Sequence, residues 1–180
     1  MRETHPLSPN RDTQPQVPIA KVTTASGPFA GRSTVVGLLL LRRISGSSIY
    51  GCGINPKGSM EVTAPAQLGS TVTLSLLDPT NRMQGPGQSL LLLSARPATN
   101  FPCGQRIPGF GMIRGAPGEW LIGNVAAVIS GPRWTGGLMR ISLPIPNDRR
   151  LQGAALYAQG ALLGESRTGL TDAAELHPGR

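Results

Sequence analysis

The sequence predicts an all-β protein, an antiparallel β-sandwich or jelly roll of about eight strands behind a disordered N-terminal tail. Three observations support this prediction. Short segments alternate apolar and polar residues, as half-buried strands do, whereas no segment of a dozen residues carries a helical stripe. Those segments are separated by many of the 24 Gly and 17 Pro residues. The chain of 180 residues is also long enough for one domain with a full core.

Residues 1–47 are predicted to be a disordered tail, a linker or a degenerate signal segment, which leaves residues 48–180 for the β-sandwich domain. The tail has no hydrophobic period, which is typical of disordered chain. Its apolar run, Val35–Leu41, is too short to span a bilayer, which needs about 20 residues. The run suits the centre of a signal peptide, but the basic pair Arg42-Arg43 then lies on the wrong side of it. A first strand, or a start codon placed too far upstream, are the alternatives. Its prolines are Pro6, Pro9, Pro15, Pro18 and Pro28.

The first strands of the domain follow from alternation and from one apolar run. Strand signals begin at Ile49. Residues Ser59–Thr63 and Ser70–Leu77 alternate, and the second run stops at Asp78–Asn81, where residue types typical of turns follow one another. Ser89–Ser94 is continuously apolar between its two serines, which indicates a strand buried on both faces.

Five further strands are predicted in the second half of the chain, separated by Gly, Pro and Asn. The last two form a closing hairpin, although the Ala and Leu of its first member also suit a short helix. Strands this short and this regularly spaced are typical of two sheets packed face to face. The five segments are Glu119–Ile122, Val125–Ile129, Leu138–Leu143, Leu151–Leu163 and Gly169–Leu176.

The formal net charge of +8 is a weak argument for nucleic-acid binding. The arginines are scattered singly, apart from the pairs Arg42-Arg43 and Arg149-Arg150. Aromatic residues make up only 4% of the chain, so the charge has no set of stacking rings beside it. We therefore expect no nucleic-acid partner.

No catalytic or cofactor-binding set is evident in the sequence. The two histidines, His5 and His177, lie near the chain ends, where a cleft would not hold a catalytic triad. Two cysteines without matching histidines do not complete a four-ligand zinc site. The carboxylates form no spaced pair on one strand face. We therefore predict no catalytic residue, no cofactor and no enzymatic activity.

Two loops carry oxygen ligands that suit calcium. Asp78 with Asn81 forms one candidate pair, and Asn147 with Asp148 forms the other. The alternative is turn chemistry, because Asp and Asn side chains accept hydrogen bonds from nearby backbone in loops. We favour the turn interpretation.

Trp134 and Tyr157 are the candidate ligand-binding residues. Trp134 lies in the predicted turn Gly131–Gly137 and is expected to be exposed, so that it and Tyr157 could stack on a sugar ring. Trp120 lies inside an apolar strand and is expected in the core. Core packing is the alternative for all three rings, because large aromatic side chains usually bury their area.

Several short motifs lie along the chain between about residue 48 and residue 178. They are Tyr50–Gly53 with Asn55-Pro56, Leu77-Asp78, Pro102–Gly104, Pro108–Gly111, Leu143–Asp148, Leu151–Gly153, Leu156–Gln159 and Leu170–Asp172. In this order they resemble the C-terminal β-sandwich module of secreted proteins from planctomycetes and similar bacteria. That family has no established activity, so the resemblance implies a fold and an extracellular location and no catalytic residue.

Cys52 and Cys103 are predicted to form a disulfide. They are an even pair, each lies beside glycine in a loop where the backbone can adapt, and exported proteins meet an oxidising environment. The alternative is two buried free thiols in a cytosolic protein.

The sequence therefore predicts a non-catalytic module, secreted or held at the cell envelope, with an adhesion, sorting or accessory role. Its partners would be other extracellular domains or cell-surface polymers, and no membrane span is predicted. The alternative is a carbohydrate-binding or hydrolytic sandwich, which requires an exposed aromatic strip or a carboxylate pair in a groove. The exposure of the tryptophans separates the two.

Overall fold

A computed structural model describes residues 46–83 and 85–179. These residues lie within one unit of the chain, Leu40–Arg180. The predicted disorder of the tail and the interpretations of its apolar run fall outside the described residues. The first described strand begins at Gly46, two residues before the predicted domain boundary.

The described chain is all-β, as predicted, and its ten strands pair only in antiparallel ladders. The strands are β1 Gly46–Tyr50, β2 Met60–Val62, β3 Thr71–Leu76, β4 Gly87–Ser94, β5 Gln105–Ile107, β6 Gly118–Trp120, β7 Ala127–Trp134, β8 Met139–Pro144, β9 Leu156–Leu163 and β10 Thr168–His177. They form a five-stranded sheet in the order β1-β10-β9-β4-β7, a three-stranded sheet β2-β3-β8 and a two-stranded sheet β5-β6.

The five-stranded and three-stranded sheets pack against each other around the main core. Leu91 and Leu93 of β4 meet Leu74 and Leu76 of β3 there, and Trp134 lies in the same cluster. Alternation in β3 and β8 predicts this arrangement, because every second side chain of a strand faces the opposite sheet. We call this side of the five-stranded sheet its inner face.

The opposite face of the five-stranded sheet, its outer face, is also buried. Residues 95–126, here called the cover segment, carry β5 and β6 across it and form a second apolar cluster with the sheet. Leu92 and Tyr157 point into this cluster, whereas the neighbours of Leu92 in sequence point into the main core. The prediction that Ser89–Ser94 is buried on both faces is therefore confirmed.

Two strands were missing from the prediction. β1 is a mostly exposed edge strand paired with β10, and β5 has only three residues. The hairpin of β9 and β10 is confirmed, with β9 beginning at Leu156. The helical alternative for Leu151–Leu163 is wrong except for a single 3₁₀ turn at Arg149–Leu151.

Candidate functional site

A cleft of about 550 Å³ lies within the cover segment. Its walls combine one large aromatic ring with three side-chain amides and one hydroxyl, and the single charged residue among them is Arg106. Such a wall offers an apolar platform together with donors and acceptors that orient a polar ligand. The lining residues are Ala98, Thr99, Asn100, Gly104, Gln105, Arg106, Trp120, Ile122, Gly123 and Asn124.

Trp120 is the aromatic residue of this cleft. It is half-buried, packs against the second apolar cluster, on the outer face of the five-stranded sheet, and lines the cleft as well. Gln105 lies directly opposite Trp120 in the β5–β6 ladder, so the two side chains share one face of this small sheet. The expectation that Trp120 belongs to the core alone is therefore incomplete.

Trp134 is fully buried, at 0% exposure, and the prediction that it is exposed is wrong. Its Nε1–H donates to the carbonyl of Gly137 at 3.0 Å. The segment Gly131-Pro132 resembled a turn, but it forms a β-bulge within β7 opposite Ser89, whose hydroxyl donates to the Pro132 carbonyl at 2.7 Å. Proline is tolerated at such a bulge on an edge strand, so β7 continues to Trp134.

Tyr157 also lies in the core. Its ring makes edge contacts with those of Tyr50 and Phe101, at centroid distances of 6.2 and 6.4 Å. Its hydroxyl donates to Glu175 Oε1 at 2.9 Å. The interpretation of Tyr157 as an exposed stacking residue is wrong, because the cover segment packs over this part of the sheet.

The carboxylate of the predicted calcium ligand Asp78 is hydrogen-bonded to the backbone of its own loop. It accepts hydrogen bonds from the backbone N–H groups of Thr80, Arg82 and Met83 at 2.9, 2.8 and 2.7 Å. Burial raises the pKa of this carboxyl, but the hydrogen bonds outweigh burial and bring the pKa below its ordinary value. Asn81, in the same loop, has a positive φ of 49°. This is the turn arrangement that we favoured.

The second candidate pair is likewise part of a turn. Asp148 Oδ1 accepts from the Arg150 backbone N–H at 2.9 Å and caps the 3₁₀ turn. Asn147 lies against Gly69, where an added Cβ would meet the Asn147 Cβ at 3.4 Å. Neither Asn147 nor Asp148 lines the cleft.

The predicted disulfide between Cys52 and Cys103 is formed, with its Cα atoms 5.0 Å apart. It joins the segment after β1 to the cover segment just before β5. Disulfides persist in oxidising surroundings, so this bond indicates an oxidising, extracytoplasmic location. The alternative of two free thiols is wrong.

Glu119 lies beneath the disulfide and was not singled out by the sequence. It is 1% exposed, and its two carboxylate oxygens accept from the backbone N–H groups of Cys52 at 3.1 Å and Gly104 at 2.9 Å. Gly104 is required for this approach, because a Cβ there would lie 2.0 Å from the Trp120 carbonyl oxygen. Glu119 therefore fixes both chain segments that carry the cysteines.

Two buried amides, Asn55 and Gln159, connect the cover segment to the sheet. Asn55 Nδ2 donates to the carbonyls of Glu119 and Thr171 at 2.8 and 2.7 Å. Gln159 Nε2 donates to the same two carbonyls at 2.7 and 2.9 Å, and its Oε1 accepts from Leu121 N–H. In the sequence, the signal for this role is the amide of Gln159 within the otherwise mostly apolar run Leu156–Leu163.

Asp172 borders a smaller cavity of about 280 Å³ at the end of β1. Burial raises the pKa of this carboxyl to about 6, and the negative charge of Glu119 adds to the rise. A hydrogen bond from Gly58 and the charge of Lys57 oppose it. Glu119 and Asp172 are thus close enough to interact, although sequence spacing predicted no carboxylate pair, and neither of them lines the cleft.

No family model, curated protein or solved structure matches this chain. The resemblance to secreted planctomycete-type modules therefore stays a prediction. In the part of the chain that the structure describes, no helix is long and apolar enough to cross a membrane.

Proposed function

We propose that this chain is a non-catalytic module, secreted or held at the cell envelope, that binds a polar saccharide of a cell-surface polymer. The observation that carries the proposal is the cleft of the cover segment, where the half-buried ring of Trp120 lies beside side-chain amides. Trp134 and Tyr157 are buried, so the cleft offers this single aromatic platform and not an aromatic strip. A sugar ring has one apolar face for stacking and hydroxyls around its rim, which matches this combination of side chains. An adhesion or accessory role follows from such binding.

The disulfide supports the location in this proposal. It ties the cover segment, which carries the whole cleft, to the end of β1. A secreted module benefits from this bond because it maintains the binding loops in an oxidising environment.

Binding is better supported than hydrolysis of the same saccharide. Hydrolysis by a carboxylate pair needs one acid and one base beside the scissile bond. The carboxylates that approach each other are Glu119, which is buried against backbone N–H groups, and Asp172, which borders the smaller cavity. The ten residues that line the cleft include no Asp or Glu.

A glycan screen with the full chain, oxidised, tests the proposal. We expect binding to at least one bacterial or plant cell-wall polysaccharide, together with a change in tryptophan fluorescence on titration. Trp134 is fully buried outside the cleft, so the fluorescence change reports on Trp120. Failure to bind any glycan would contradict the proposal.

Single-residue variants test whether the saccharide binds in the cleft. Trp120→Ala and Asn124→Ala are expected to weaken binding, the first by at least about tenfold because it removes the aromatic platform. Phe110→Ala is the matched control, since it removes an exposed ring, at 38% exposure, that does not line the cleft. Thermal unfolding of each variant shows that its fold is kept. Equal loss of binding in all three variants would point to another site.

A further inference from the structure

The disulfide and Glu119 bring three potential metal ligands together. The sulfurs of Cys52 and Cys103 and a carboxylate oxygen of Glu119 all lie within 4.8 Å of one another. Thiolates and carboxylates both bind zinc, at about 2.3 Å for sulfur and about 2.0–2.2 Å for oxygen. Donors this close can converge on one ion with small movements of the side chains.

The three donors are positioned by contacts other than the S–S bond. Glu119 accepts from the N–H groups of Cys52 and Gly104 and so retains both cysteine segments. On the side of Cys52, the Tyr50 hydroxyl donates to the Leu121 carbonyl at 3.0 Å. On the side of Cys103, its own N–H donates to the Asn100 carbonyl at 2.9 Å. The site is therefore expected to stay assembled when the disulfide opens.

From this arrangement we propose that the reduced chain binds one zinc ion through Cys52, Cys103 and Glu119, so that the disulfide acts as a redox gate on a metal site. In the oxidised chain the two sulfurs are bonded to each other and are not thiolate ligands. A dithiol reductant supplies two electrons and two protons, the S–S bond breaks, and the reductant leaves as its own disulfide. Zinc then replaces the two thiol protons, which pass to solvent.

The surroundings leave a coordination position for water. Cys52 is exposed, Cys103 is half-buried and Glu119 is buried, so an ion held by the three would face solvent on the Cys52 side. Zinc favours four ligands, and a water molecule completes the set. The proposal applies to the chain before oxidation or in a reducing compartment, and it does not depend on the saccharide cleft.

Cobalt(II) provides a spectroscopic test on the full chain. The protein is reduced with a dithiol, separated from the reductant without oxygen, and titrated with cobalt and then zinc. We expect one equivalent of cobalt to give thiolate charge-transfer absorption and the visible bands of tetrahedral coordination, and zinc to displace it. The oxidised chain should give neither signal. Absence of the thiolate bands from the reduced chain, or equal binding by the oxidised chain, would overturn the proposal.

Two variants and one further measurement define the ligands. Cys103→Ser should abolish the charge-transfer bands, and Glu119→Gln should weaken binding by at least about tenfold. Glu165→Gln, at an exposed glutamate outside the cluster, is the control and should bind like the parent. A folded Glu119→Gln protein with parental affinity would refute the three-ligand site. If that variant does not fold, X-ray absorption of the zinc-loaded parent decides: two sulfurs and two lighter atoms support the site, and four sulfurs refute it.

Discussion

The two faces of the five-stranded sheet are buried in different ways. The inner face meets another sheet, and leucine, isoleucine, valine and methionine side chains fill most of the space between them. The outer face meets the cover segment, which has only two strands of three residues each. There the apolar cluster is small, and the buried amides Asn55 and Gln159, the carboxylate of Glu119 and one disulfide complete the contact.

The difference shows what a covering layer needs when few of its backbone groups are paired in a ladder of its own. Two packed sheets satisfy most of their backbone groups internally, so apolar side chains suffice between them. A covering loop brings unpaired N–H and C=O groups to a buried surface, and each of these requires a partner. Asn55, Gln159 and Glu119 supply those partners here.

The largest expected effect comes from removing the covalent link of the outer face. The double variant Cys52→Ser/Cys103→Ser should lose roughly 4 kcal/mol of unfolding free energy, because the bond closes a long loop in the unfolded chain. The two cysteines are 51 residues apart in sequence. Denaturant unfolding of oxidised parent and variant measures the difference. A loss below about 1 kcal/mol would contradict this account of the disulfide as a constraint on the unfolded chain.

Shortening a buried side chain on the inner face should lower the unfolding free energy by nearly as much. Leu74→Ala removes a fully buried side chain between the two sheets and should lower the unfolding free energy by about 3 kcal/mol. The same denaturant experiment measures it. Leu138→Ala, at a leucine that is 45% exposed, is the control and should change stability by less than about 0.5 kcal/mol.

The polar partners of the outer face can be tested with Gln159→Leu. This change fills the same buried space with an apolar side chain but leaves the Leu121 N–H without its partner, so it should lower the unfolding free energy by about 2 kcal/mol. Gln105→Leu makes the same change at an exposed position and should be nearly neutral. If Gln159→Leu were also neutral, the two faces would not differ in the way described.

The smallest effect depends on pH and concerns Asp172. Its pKa of about 6 in the folded chain lies above the ordinary value of 3.8, so the folded state holds this proton more tightly than the unfolded state. Stability is therefore lost as pH rises from about 4 to about 6 and stays reduced above that. Asp172→Asn should be more stable than the parent at pH 8, by about 1 kcal/mol, and equal to it near pH 3.

Chemical denaturation at several pH values measures this dependence. Asp148→Asn makes the same substitution at an exposed aspartate and is the control. A stability difference between Asp172→Asn and its parent that is the same at pH 3 and pH 8 would contradict the assignment.

The sequence pattern is most informative for the inner face and least informative for the cleft. Alternation and a continuous apolar run predicted β3 and β4, because those patterns record which side chains are buried. Trp134 was misplaced because Gly131-Pro132 has the composition of a turn, and only the pairing with Ser89 makes it a bulge. The cleft lies within a segment that is mostly loops, whose path no periodicity records.

Strand β6 has a backbone edge that no neighbouring strand covers, since β5 pairs with its other side. Asn55 accepts from the N–H of Glu119 and donates to its carbonyl, as a residue of an adjoining strand would. Gln159 accepts from the N–H of Leu121, the next one along this edge, and donates to the same Glu119 carbonyl. The two side-chain amides thus take the place of a neighbouring strand at this edge. Because these backbone groups are already paired, another protein chain cannot add a strand here, which protects this loop-rich segment from edge-to-edge aggregation.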